Sequence, residues 1–560
     1  MKGLLYGLLV WGLHLQNVLG LTPPRPLPPT EEVNQDVLDA IADPDQPAFG
    51  ISHFEQYIDH KNPQLGKFNQ TFWYNTTFYR GPGSPIILFT PGEEAAVLYL
   101  SYLSDATLTG LIAKEVGGAV VLVEHRYWGN STPFEVQSTK NLQFLTLDQS
   151  VTDFTHFART AKLPFDTQGD ANAPKVPWIW VGGSYSGALG AWIESLQPGT
   201  FWATHASSGP VQAIYDYWEY FYPIQRGMPH NCSKDYQAIV EHVDRVFAHG
   251  SPKEQGKLKD MFGLGTLPHI DDVAVAISSP IWEWQNIQFY SGYSQFYQMC
   301  DAIEGFLPNS TNSTVHNALS ASGIGLKRAL PNFATWFRRE YLPQYCARIG
   351  YEDWQDPNSI LCFDTYNASS PMFTDWSASN KLDRTWVWMT CNDPFFYYQT
   401  GAPRDKSTIF TRFASTEYSQ RQCELFFPRE GKYTYASAYG RTAQDENAHT
   451  KGWYLPESLD QDSRLLWVNG EYDPWRSAGV ASEFRRGGPW VSTPDVPAIL
   501  MPGSRHCSDL RTRNGVNNTD VKKAQNEIVA QMAEWTKEFY SMPRENHRAV
   551  WSERKPSTTN

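Results

Sequence analysis

The stretch Trp178-Ile179-Trp180-Val181-Gly182-Gly183-Ser184-Tyr185-Ser186-Gly187-Ala188-Leu189-Gly190-Ala191-Trp192 leaves this chain few ways to fold. An apolar run ends at a glycine pair, a serine follows, and small residues then resume with helical character. This reads as a strand, a sharp turn and a helix, with the serine standing at the top of the turn. The flanking residues must be small because the turn brings the helix back against the strand. The strict G-x-S-x-G spelling is absent, since Ser184 has Gly182 two before it but Ser186 two after. Ser184 directly follows the strand and is the expected nucleophile, whereas Ser186 falls in the first helical turn. On this stretch alone, a plain Gly/Ser loop between a strand and a helix would look the same.

The surrounding pattern extends that reading. Runs at 54–58 and 68–78 are strand-like, and Pro85–Thr90 reads as a buried strand followed by helix over 95–116. A further strand at 119–124 and a helix at 145–163 lead into Trp178–Gly182, and 203–208 is one more strand. Apolar strands alternating with helices predict an α/β fold whose parallel sheet is covered on both faces. The alternation stops near Gly209 and resumes at Leu465–Val468 and Ala498–Met501. We therefore expect one discontinuous domain, 49–211 and 381–545, interrupted by a mainly helical cap over 212–380. A closing amphipathic helix places Ile528, Met532, Trp535 and Phe539 on one face.

The remaining features bound the compartment and the partners. Residues 1–20 have the basic start, short apolar core and small-residue end of a secretory signal. A proline-rich leader, 21–48, is expected not to pack a core, and 546–560 is expected to be a disordered tail. The sequons Asn69, Asn75, Asn130, Asn231, Asn309, Asn312, Asn367 and Asn517 suit a secreted glycoprotein. The net charge of −13 argues against nucleic acid and anionic membranes as partners. With seven cysteines in an oxidising compartment we expect the pairs Cys232–Cys300, Cys346–Cys362 and Cys391–Cys423 and a free Cys507; spacing does not fix this connectivity. None has zinc-site spacing, and no metal or cofactor is called for. A monomer or a homodimer is expected.

Acyl transfer by a serine needs a base to take the hydroxyl proton and a carboxylate to orient that base. After the strand at 465–468 comes Asn469-Gly470-Glu471-Tyr472-Asp473-Pro474-Trp475, which puts Asp473 in a turn at the strand end. After the strand at 498–501 comes Pro502-Gly503-Ser504-Arg505-His506, which puts His506 in the next loop. The order Ser184, Asp473, His506 on successive strand ends is the order an elbow-type hydrolase uses. Glu471, the other nearby carboxylate, is expected to face away. Oxyanion donors would be the Tyr185 N–H and that of Gly92 or Glu93 in the loop after the strand at 85–90.

Six stretches together resemble the prolyl carboxypeptidase / dipeptidyl peptidase II family of serine peptidases, and look closest to its secreted acidic fungal prolyl endopeptidases. They are Phe54-Glu55-Gln56-Tyr57-Ile58-Asp59-His60, Thr90-Pro91-Gly92-Glu93, Glu124-His125-Arg126-Tyr127-Trp128-Gly129, Gly182–Gly187, Asn469–Trp475, and His506 with Asp509-Leu510. The resemblance implies an α/β-hydrolase fold with a helical cap inserted after the nucleophile half of the sheet. It also implies cleavage after proline in peptides or proteins, with Ser184 as nucleophile, Asp473 as orienter and His506 as base. An endo-acting, acid-tolerant peptidase is expected, with some tolerance of alanine. The alternatives are an exo-acting Pro-X carboxypeptidase, a lipase or carboxylesterase on the same scaffold, and a catalytically dead binding module. A proline ring fits an apolar slot with aromatic walls. Trp475, Phe395 and Phe396 are the candidates for those walls.

Overall fold

The computed structural model describes residues 37, 39–40, 48–306, 321–460 and 462–543. The expected signal, the tail, and sequons Asn309 and Asn312 lie outside them. The strands are β1 (Phe49–Tyr57), β2 (Lys67–Asn75), β3 (Ile86–Phe89), β4 (Ala119–Val123), β5 (Trp178–Gly183), β6 (Ala203–Ser207), β7 (Leu465–Gly470) and β8 (Ala498–Met501). They form one eight-stranded sheet in the order β1-β2-β4-β3-β5-β6-β7-β8. β1 and β2 pair antiparallel and β2 joins β4 antiparallel. From β4 to β8 every neighbour is parallel. Helices α1 (Leu108–Val116), α2 (Leu147–Thr160) and α3 (Tyr185–Leu196) make the crossovers that parallel pairing requires. This is the α/β-hydrolase fold.

Period-two alternation sends side chains of each central strand to two separate cores. Ile86, Leu88, Val121, Val123, Trp178 and Trp180 pack with Val151, Phe154 and Phe157 of α2. Ile87, Phe89, Val120, Leu122, Ile179 and Val181 pack on the other face with Ile112 of α1 and Ile528, Met532, Trp535 and Phe539. Runs with no polar face are what a sheet buried on both sides demands.

Between β6 and β7 no strand of the sheet occurs among the described residues. This interval carries α4 (His230–His249), α5 (Ile270–Ser278), α6 (Gln295–Ile303), α7 (Leu326–Trp336), α8 (Arg384–Cys391), α9 (Thr416–Phe426) and α10 (Ala443–Thr450); α11 (Thr519–Ser541) closes the chain. The strand-free interval thus runs past residue 380 to 464. Disulfides join Cys232 of α4 to Cys300 of α6, Cys391 of α8 to Cys423 of α9, and Cys346 to Cys362. Cys507 is free and buried. No helix among the described residues is long and apolar enough to cross a membrane.

Three expectations change. The single helix over 95–116 is two, a 3₁₀ helix at Ala96–Leu103 and α1. The chain is drawn out between them because Thr107 bridges Arg511 and Leu108 N–H donates to Leu510 O at 2.9 Å. Val37 and Ala40 of the leader are buried, with Val37 in the second core, so part of that stretch does pack. Asn75 is only 4 % exposed and its amide donates to Leu103 O at 2.8 Å, so its nitrogen has no room for a glycan in the folded state. Asn69, Asn130, Asn367 and Asn517 are exposed and Asn231 is half-buried.

Two of the motif stretches turn out to be structural. Arg126 is buried and clamps Asp153 of α2 through Nε (2.6 Å) and Nη2 (2.7 Å). It also donates to the carbonyls of Tyr57, Ile58 and Phe144. His60 reaches the same carboxylate at 2.7 Å. A buried charge is tolerated because every donor and acceptor finds a partner.

Burial raises several carboxyl pKa values: Glu124, Glu219 and Glu283 to about 7, and Glu446 to about 8 with Asp393 adding to the burial effect. Such groups stay protonated in the folded chain while the unfolded chain ionises near 4.5. Their stabilising contribution is whole below that value and is lost as pH rises through the folded pKa values. Melting temperature should therefore fall between about pH 5 and pH 8. A flat or rising profile by calorimetry would contradict this account.

Candidate active site

The serine stands where β5 ends and α3 begins. Its backbone is left-handed, φ 62° and ψ −128°, a conformation that side chains rarely adopt. Ser184 N–H donates to Ser207 O at 2.7 Å, and Ser184 O accepts from Ala188 N at 3.0 Å, so both sides of the turn are tied down. A Cβ on Gly182 would lie 2.2 Å from Ser186 O, and one on Gly187 would lie 2.7 Å from Ser207 O. Only glycine fits either position. Ser186 spends its hydroxyl inside the turn, accepting from Gly183 N (3.0 Å) and donating to Gly183 O (3.1 Å). It closes the elbow while Ser184 faces outward from it.

Asp473 follows β7 and caps the 3₁₀ helix Pro474–Ala478, with Oδ1 accepting from Trp475 N at 3.0 Å. The same oxygen receives His506 Nδ1 at 2.9 Å. His506 follows β8, and its Nε2 lies 2.7 Å from Ser184 Oγ. The structure thus brings Ser184, Asp473 and His506 into one hydrogen-bonded chain, with all three side chains buried. Burial disfavours the His506 cation, yet the adjacent Asp473 carboxylate outweighs it and holds the imidazole pKa well above its ordinary 6.5. Cys507 beside it remains a neutral thiol, because burial raises its pKa. Glu471 points away, accepting from Gly503 N at 2.8 Å.

Tyr185, the residue after the serine, is locked on two sides. Its hydroxyl lies 3.0 Å from His125 Nε2, while His125 Nδ1 lies 2.9 Å from Arg126 O. Burial lowers the His125 pKa to about 4, so the ring is neutral: Nδ1–H donates to the carbonyl and Nε2 accepts the phenol proton. Across the ring, a Cβ on Gly92 would come within 2.6 Å of Tyr185 Cδ1. Gly92, at φ 80°, brings its loop directly against the elbow. Its N–H donates to Thr90 Oγ1 at 3.3 Å.

The aromatic candidates divide. Trp475 is fully buried, with ring centroids of Tyr217, Tyr220 and Tyr397 at 5.9, 5.3 and 5.5 Å. Phe395 joins this group through Tyr397 (5.1 Å) and reaches Tyr185 at 5.4 Å. Phe396 does not join it. The backbone at φ 50° turns this ring into a separate cluster with Ala213, Ala436 and Ala443.

Sequence reasoning missed Tyr217, Tyr220 and Tyr397, which lie in a loop-rich stretch without periodicity. It also missed Asp509 as an anchor: this buried carboxylate accepts from Ser207 Oγ (2.5 Å) and His205 Nε2 (2.8 Å), fixing the histidine loop to β6. The signal was present, because Asp509 lies three residues past His506 in a motif already singled out. Among the described residues no cluster of His, Cys, Asp or Glu has metal-binding geometry.

Elbow, sheet order and crossover helices define an α/β-hydrolase, with Ser184, His506 and Asp473 hydrogen-bonded in series at its strand ends. The chain belongs to the serine carboxypeptidase S28 family of peptidases, whose model matches residues 56–528. It is similar to "Serine protease vicPb" of Bipolaris victoriae, with 47 % identity over 492 residues covering 88 % of this chain and 90 % of the relative. It is also similar to "Serine protease vicPa" of the same fungus, at 48 % identity over 88 % of this chain and 89 % of the relative. "Probable extracellular serine carboxypeptidase" of Arthroderma benhamiae is 30 % identical over 87 % of this chain and 67 % of its own length.

The elbow glycines give a direct test. Gly182→Ala places a methyl group inside backbone that cannot move, and should cost more than about 2 kcal/mol by denaturant titration. Wild-type stability in that variant would mean the turn is looser than described.

Proposed function

We propose that this protein is a secreted serine peptidase that hydrolyses peptide bonds on the carboxyl side of proline, acting within chains. The observation that carries the reading is the hydrogen-bonded run Asp473–His506–Ser184, with separations of 2.9 and 2.7 Å. His506 Nε2 takes the Ser184 proton as Oγ attacks the scissile carbonyl, and then gives it to the leaving amine. Asp473 holds the Nδ1–H tautomer and stabilises the imidazolium. A water, deprotonated by the same nitrogen, then releases the acyl group from Ser184.

The oxyanion forms beside two backbone donors. Tyr185 N–H opens α3 and is therefore not used by the helix itself. Since the Gly92 N–H faces Thr90, Glu93 N–H is our choice for the second donor. Trp475, with Tyr217, Tyr220, Tyr397 and Phe395, supports an aromatic wall against which a proline ring would lie.

Secretion is supported by the three disulfides and by the extracellular relative. That relative's name and the family description also favour an exo-acting reading. A peptide with an internal Pro-X bond and both ends blocked separates the two: cleavage supports endo action, and resistance with cleavage of the free-acid peptide supports the carboxypeptidase. Ser184→Ala should lower kcat by at least about 10³-fold in either case. If the variant retained activity, or the wild type ignored Pro-X bonds but hydrolysed assorted acyl esters, the peptidase reading would fail.

The electrostatics of His506 run against the expected acid tolerance of activity. An imidazolium cannot accept the serine proton, so a raised His506 pKa places the ascending limb of kcat/KM above its ordinary 6.5. A pH–rate profile with its limb below that value would show that the Asp473 carboxylate does not dominate the base.

A further inference from the structure

The 3₁₀ helix Ser279–Asn286, in the interval between β6 and β7, reaches with the residues after it to both loops that carry the histidine and the aspartate. Trp284 donates its indole N–H to Tyr472 O at 2.8 Å, one residue before Asp473. Its ring also carries the Arg505 guanidinium, 4.4 Å from the centroid and one residue before His506. Gln285 Oε1 accepts from Trp475 Nε1 at 2.6 Å and from Tyr220 OH at 3.0 Å. Gln288 Nε2 donates to His506 O at 3.1 Å, while its Oε1 accepts from Asn514 Nδ2 at 2.6 Å.

The last contact has a particular geometry. His506 C=O and Cys507 N–H belong to one peptide unit. The N–H end is held from the sheet, because it donates to Ser208 Oγ at 3.0 Å. The C=O end is held from the insertion by Gln288. Cys507 has φ 50°, so the unit sits in a backbone conformation that depends on outside support. Rotating that plane would re-aim the imidazole, whose Nε2 lies only 2.7 Å from Ser184 Oγ.

We propose that Gln288 is a positioning residue for His506, and that Trp284 to Gln288 makes assembly of the catalytic chain conditional on seating of the insertion. This rests on the reading of Ser184, Asp473 and His506 as the triad. Gln288 touches neither substrate nor reacting atoms; it acts by fixing one carbonyl. Gln285, by contrast, orients Trp475 and so belongs to substrate binding.

The test uses the full chain with Gln288→Met, of similar length but without the donor. Active sites are counted by stoichiometric labelling with a fluorophosphonate, so that misfolded molecules drop out of the rate. Per labelled site, kcat on a blocked proline peptide should fall at least about tenfold, because small displacements of catalytic groups are costly. KM should change by less than about twofold, and Gln285→Met should show the opposite split, with KM rising. Should Gln288→Met not fold, Gln288→Glu keeps size and shape, lacks the donor, and should lower kcat in the same way. Unchanged kcat per site in the folded variant overturns the proposal while leaving the triad reading intact. If the wild-type chain neither labels at Ser184 nor turns over, the triad reading itself fails and takes this inference with it.

Discussion

The left-handed turn at Ser184 is the constraint from which the rest of the molecule follows. A side-chain-bearing residue at φ 62° needs backbone support on both sides, and β6 provides it through Ser207 O while α3 provides it through Ala188 N–H. Those bonds form only if helix and strand approach to within a methyl group, which is why Gly182 and Gly187 carry no side chain. Close approach in turn requires Trp180 and its neighbours to be buried on both sheet faces. The serine hydroxyl is thereby presented without a rotational search, and preorganisation is where such a site gains over water.

Order at the other two loops comes from different physics. Asp473 is fixed by capping a short helix whose proline sets the turn. His506 is fixed by a buried carboxylate three residues on and by polar contacts to the insertion. Burial surrounds the imidazole, yet the charge of Asp473 decides its protonation, since an opposite charge at hydrogen-bond distance exceeds the desolvation opposing it. At His125 no carboxylate reaches the ring, and burial outweighs the Arg126 carbonyl and the more distant Asp153 charge that oppose it. The two histidines show one residue type shifted in opposite directions by what faces it.

The sheet was legible because β3, β4 and β5 have no polar face, a pattern only a doubly covered sheet tolerates. The elbow was legible because steric need writes glycine and serine into a fixed order. Asp473 and His506 were legible through their place after strands, and motif resemblance sharpened that placement. What could not be read was governed by contacts between distant segments. The break at Thr107 depends on Leu510 and Arg511, and the burial of Asn75 depends on Leu103. Phe395 and Phe396 are chemically identical neighbours, and only the backbone at Phe396 separates their fates. The aromatic group around Trp475 joins residues near 217–220, 395–397 and 475, a juxtaposition that no local periodicity records.

The distance along the chain between Ser184 and His506, 322 residues, bears on the order in which the site can be assembled. β6 finds its partner β7 only after the whole disulfide-bearing insertion has been synthesised, and contacts this remote are late to form. A chain that has formed only as far as the elbow therefore still lacks the imidazole that reaches the Ser184 hydroxyl. His506 follows every cysteine of the insertion in the chain, so all three disulfides can close before the contact between Ser184 and His506 forms. Chain topology alone makes the contact between Ser184 and His506 wait for the whole insertion.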